Sequence, residues 1–166
     1  MKSVRFSAIL PLFLVAALSF SCGGNSNKPG NNPGGNAANE ANANANSERT
    51  NVEELALLVN VPYEAEDVVW KEYASQKRII AVLRFSDADS TKLVAEAEKV
   101  KPPEAASISS EPWFPAELIA QGEMSGDDSL KGKAYAANQF FQPPYSNGRI
   151  IRIDASDYFI LDVTAN

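Results

Sequence analysis

The chain has 166 residues, enough for one compact domain plus additional segments, and its 15 basic and 21 acidic groups leave a formal charge of -6. Such an acidic surface repels phosphate backbones, and no basic stripe offsets it in the sequence, so no nucleic-acid partner is expected. With no histidine and one cysteine, an internal disulfide, zinc centres and Ser-His-Asp or Cys-His catalysis are excluded.

Met1 to Ser21 reads as a signal peptide. Lys2 and Arg5 form the positive start, Phe6 to Phe20 the apolar stretch, and Ser19 and Ser21 the small residues before a cut. The stretch is about 15 residues, short of the roughly 20 that a spanning helix needs, and Pro11 interrupts it. Removing the leader takes away Lys2 and Arg5, so 13 basic groups face 21 acidic ones and the mature chain carries about -8. Leu18-Ser19-Phe20-Ser21-Cys22 resembles the lipobox of bacterial lipoproteins, with a bulky Phe20 and the aliphatic Leu18 one place earlier than usual. The resemblance implies a thioether-linked diacylglycerol on Cys22 and cleavage that makes Cys22 the first mature residue. Gly23 at the second mature position is similar to lipoproteins exported to the outer membrane of a Gram-negative envelope. The alternative is ordinary signal peptidase cleavage after Ser21, which leaves Cys22 as a free thiol.

From Cys22 to Asn51 the chain is almost entirely Asn, Gly, Ala, Ser and Pro, without a large aliphatic or aromatic side chain before the domain. Too little surface can be buried there to offset ordering entropy, so a disordered tether is expected, reaching about 30 Å.

Residues 52–166 hold every core-forming pattern. Val52 to Val59 reads as a short helix capped by Thr50 or Asn51, with a strand as the alternative. Asp67 to Ala74 and Arg78 to Ser86 alternate at period two (Val68 and Trp70, then Ile79, Ala81, Leu83 and Phe85), which predicts a hairpin turning at Ser75-Gln76-Lys77. Ser86 or Asp87 then caps a helix whose Leu93, Val94, Ala97 and Val100 share one face, ended by Pro102-Pro103. Glu104 to Gly126 reads as loop with a brief helical signal at Ala116 to Ala120. Strands are expected at Gly132 to Phe141, Arg149 to Asp154 and Tyr158 to Thr164, with turns at Pro143 to Gly148 and at Ala155-Ser156. The predicted class is α+β: an antiparallel sheet of hairpin, helix and three-stranded meander behind a disordered tether. This order is similar to small domains of uncharacterised bacterial lipoproteins, on Pro62, Trp70, the Ile79 to Ser86 strand, Trp113-Phe114-Pro115 and Tyr158 to Leu161. Those residues pack a core, so the resemblance implies no activity.

Asp87, Asp89, Thr91 and Glu98 partly match a calcium-loop spacing, yet Lys92 stands where the loop needs Gly, and a helix cap is the better reading. Glu64-Ala65-Glu66-Asp67 and Asp127-Asp128 are acid clusters in expected loops, read as solvated faces. A domain this small needs its large side chains, so packing of Trp113, Phe114 and Phe140 against the sheet core is the favoured reading. Trp113, Phe114 and Tyr145, in or beside loops, form the candidate binding patch as the alternative, with Tyr145 expected to be the most exposed. No catalytic residue, metal site or cofactor is expected. The resulting expectation is a non-enzymatic, membrane-anchored extracytoplasmic lipoprotein. Its domain binds an envelope protein or serves as a structural module, with recognition of cell-wall glycan through loop aromatics as the alternative.

Overall fold

The computed structural model describes Ser47–Asn166. The leader, Cys22 and the tether as far as residue 46 lie outside the described residues. The tether's last residues already belong to the domain. Arg49 exchanges two backbone hydrogen bonds with Trp70, each 2.8 Å, and the Asn51 side chain accepts from the Glu54 N–H at 3.1 Å. That cap starts α1 (Val52–Ala56), so helix rather than strand forms here.

β1 (Ala65–Tyr73) and β2 (Arg78–Phe85) form the expected hairpin. A single 3-10 turn joins them, closed by Lys77 in the left-handed region at φ 49°. α2 (Asp87–Val100) follows, its first turn capped by the Ser86 hydroxyl. The remaining elements are β3 (Glu104–Ser109), α3 (Ala116–Ser125), β4 (Ser129–Ala136), β5 (Tyr145–Ile153) and β6 (Tyr158–Ala165). The strands make one six-stranded sheet in the order β1-β2-β6-β5-β4-β3, with every neighbouring pair antiparallel. The α+β class with an antiparallel sheet is therefore as the sequence indicates.

Helices cover both faces of the sheet. On the first face Trp70, Leu83, Ile150 and Phe159 pack with Leu55 beneath α1 and with Leu93 and Ala97 of α2. On the second, Ile80, Val82, Ile151 and Ile160 pack with Phe114 and with Leu118 of α3. The central strands β2 and β6 are thus buried on both sides rather than half-buried. The physical reason is in Ile79 to Leu83 and Tyr158 to Leu161: both are unbroken apolar runs, so either phase of the alternation finds a core.

Three further differences from the sequence reading matter. Glu104–Ser109, expected as loop, is an edge strand paired with β4; its small side chains carry little apolar signal, and pairing with β4 supplies the order. The brief helix at Ala116 extends to Ser125, because Leu118 and Gly122, four apart, both bury against the sheet side of the fold. Asn147-Gly148, expected in a turn, lies inside β5 at a register shift between Tyr145 and Asn147. Gly148 takes φ 145°, and a Cβ there would run into the Asp162 carbonyl oxygen of the neighbouring strand. Glycine is needed for that close approach rather than for chain reversal.

Candidate interaction surface

The three aromatics singled out in the sequence do not form one patch. Phe114 is buried in the second core, and Trp113 stacks edge-on against it at 4.6 Å between ring centroids. Trp113 is half-buried, and its indole N–H donates to the Tyr73 hydroxyl at 3.3 Å. Tyr145 lies on the opposite face, in the first core, and is 4% exposed. The expectation that Tyr145 is the most exposed of the three is therefore corrected. Strand β5 begins at Tyr145 itself, which turns the ring inward, and the phenol donates to Glu72 at 2.9 Å. Burial, then that hydrogen bond and the charge of Glu72, push the Tyr145 phenol up to about 12.

The acid clusters resolve into local chemistry. Asp127 accepts from the hydroxyls of Ser125 and Ser129 and from the Ser129 N–H, which ties the α3–β4 turn together. The Ser129 bond, followed by that of Ser125, holds its carboxyl below the usual range. Asp89 pairs with Lys92 at 2.8 Å and accepts from Ser86, as a helix start does, and no group of metal-ligating side chains occurs among the described residues. On the second face Asp162 binds Arg78 at 2.7 Å and stands 3.9 Å from Arg149. Arg149 also edges a hollow of about 400 Å³ whose floor includes Ala106, Ala134 and Ala136.

A surface that the sequence did not reveal lies at the β3 end of the sheet. Beyond the cover of α2, the first face carries Lys131 and Lys133 of β4 and Arg152 of β5, all exposed. Pairing sets Lys133 directly opposite Arg152, Ser107 opposite Lys131 and Ala105 opposite Lys133. The Arg152 guanidinium lies 5.8 Å from the centre of the Phe159 ring. A hollow of about 410 Å³ opens beside Lys133, Tyr135, Arg152 and Asp154. The Tyr135 phenol, raised first by burial and then by the charge of Glu98, borders it. Among the described residues none of these three cations makes an ion pair within 4.0 Å. Twenty residues separate the lysines from Arg152 in sequence, roughly, so only strand pairing brings them into one cluster.

No protein-family model, curated protein or solved structure matches the chain.

Proposed function

We propose that this is a lipid-anchored protein of the bacterial cell envelope whose folded domain binds another protein and performs no catalysis. The lipobox-like Leu18 to Cys22 segment supports the anchor, and the Asn- and Gly-rich stretch after it supports a spacer between lipid and domain. The observation that carries the binding reading is the outer edge of β3, which among the described residues pairs on one side only and so leaves backbone donors and acceptors unpaired along its outer rim. Recognition through such an edge needs no deep cleft and no titrating side chain. The glycan alternative needed Trp113 and Tyr145 on one surface, and they stand on opposite faces of the sheet with their polar tips bonded internally.

The anchor is tested by mass spectrometry of the mature N-terminal peptide and by membrane fractionation. The expected result is a diacylglyceryl-modified Cys22 and a chain that sediments with membranes, released to the soluble fraction by Cys22→Ser. An unmodified sulfur, or a Cys22→Ser form that still sediments, refutes it.

A further inference from the structure

We infer that β3 accepts an extended acidic segment of a partner protein as a seventh strand; this rests on the binding-module reading above and names its site and partner chemistry.

The phase of the ladder determines which backbone groups are available. The Ser110 N–H donates to the Asp128 carbonyl at 2.8 Å, and the β3–β4 register continues from that pair without a shift. Antiparallel pairing alternates, so Glu104, Ala106 and Ile108 direct their backbone groups toward β4, while Ala105, Ser107 and Ser109 direct theirs outward. Three N–H donors and three carbonyl acceptors therefore line the rim at the spacing a strand requires. β3 lacks the features that usually block such an edge: it has no lysine, no proline and no bulge. Pro102-Pro103 before it and Pro112 after it bound the stretch that can be paired. At the other side of the sheet, the β1 edge is already engaged by Arg49.

Charge selects the occupant. Ala105, Ser107 and Ser109 are small and exposed, so nothing bulky separates an added strand from Lys131 and Lys133 one strand further in. Strands lie about 4.8 Å apart, so the long lysine stems can cross the small side chains toward a partner's carboxylates. Lys133 and Arg152, like charges placed directly opposite, repel each other in the isolated domain, and an anion beside them relieves that repulsion. The acids around the cluster are Asp154 and Asp157 on the rim of the same hollow, Glu98 beside Tyr135, and Asp127, whose carboxyl feels the charge of Lys131. None forms an ion pair within 4.0 Å with the three cations among the described residues. The alternate side chains of an added strand fall on the second face beside half-buried Ala106 and Ile108. The segment that fits thus alternates Asp or Glu with aliphatic residues. A second copy of this chain fits poorly, because its own β3 carries one acid, Glu104, at the strand's start and brings another cationic row.

The test uses the mature chain and the capped peptide Ser-Glu-Val-Glu-Val-Glu-Ser, with a peptide carrying Lys in place of each Glu as control. Titration calorimetry at low salt is expected to show binding of the acidic peptide and none of the basic one. Amide hydrogen exchange is expected to show new protection at Ala105, Ser107 and Ser109, with Ala106 and Ile108 unchanged. Ser107→Pro removes an outward N–H without touching the β4 ladder, and Lys131→Glu with Lys133→Glu reverses the charge without touching the backbone. Each is expected to weaken binding at least about tenfold, with circular dichroism confirming the fold. Absence of peptide binding, or variants that bind like the parent, overturns the inference. So does a dimer lost on Ser107→Pro, which assigns the edge to a second copy. Binding to phosphatidylglycerol vesicles that depends on the lysines but not on Ser107, without peptide binding, assigns the patch to lipid. A partner cross-linked in cells through another face leaves the binding-module reading standing and removes this site alone.

Discussion

Replacing Tyr145 with Phe removes one hydroxyl from the first core and tests whether this ring is a packing element or part of a recognition surface. The phenol donates to Glu72 at 2.9 Å, and the residue is 4% exposed. A hydrogen bond to a charged acceptor contributes about 1.5–3 kcal/mol. Glu72 is half-buried and regains water when the hydroxyl is lost, so the lower end, about 1.5 kcal/mol, is expected. The titration of the same phenol supplies a second magnitude. Burial first, then the Glu72 bond and charge, raise its pKa from 10.0 to about 12 on folding, so at 1.36 kcal/mol per pH unit ionising the folded phenol costs up to about 2.7 kcal/mol more than ionising it in the unfolded chain. Solvent around Glu72 screens the charge and reduces this to about 1 kcal/mol. The sign follows from proton uptake. Below pH 10 the phenol is protonated in both states and the stabilisation is fully present; as pH rises toward 12 the unfolded chain releases its proton first, and the stabilisation is lost. Urea unfolding at pH 7 is expected to show a midpoint lower by roughly 1 M for Tyr145→Phe, given slopes of about 1–3 kcal/mol per molar. The difference between parent and variant is expected to shrink above pH 10. Tyr73, Tyr135 and Tyr158 are also raised by burial, so only that difference reports Tyr145. A variant as stable as the parent at pH 7, with an unchanged alkaline limb, refutes the placement of this hydroxyl.

Gly148→Ala is expected to destabilise the domain by about 2–4 kcal/mol, because the new Cβ meets the backbone of Asp162 and Val163 and the φ of 145° disfavours a side chain. A thermal melt within a degree of the parent removes the argument that close strand approach demands glycine. Asp162→Asn keeps the size of the side chain but ends the two-point contact with Arg78, whose Nε and Nη2 donate at 2.7 and 3.0 Å. The pair is partly exposed, so a loss of about 1 kcal/mol is expected in chemical denaturation, larger at low salt than at high salt. An effect independent of salt points instead to loss of local packing.

What the sequence determined alone are the features set by local chemistry and period. The hairpin followed from Val68 and Trp70 against Ile79 to Phe85, the cap of α2 from Ser86, and the class from strands without parallel crossovers. The placement of β6 followed from Phe159, Leu161 and Val163 on one face. The leader and Cys22 lie outside the described residues, and their reading remains an expectation, carried by the charged and apolar pattern of Met1 to Ser21 and by the resemblance of Leu18 to Cys22 to a lipobox. Tertiary structure decided the rest. β3 owes its order to a neighbour 25 or so residues away rather than to its own small side chains. Gly148 is required by the close approach of a strand that follows it, which no dipeptide rule anticipates. Tyr145 is turned inward by the start of β5, and Lys131, Lys133 and Arg152 become one positive face only when β4 lies beside β5. Charge and exposure at a sheet edge depend on which strand comes next, and hydrogen bonds across strands, not the residues' own order, decide that.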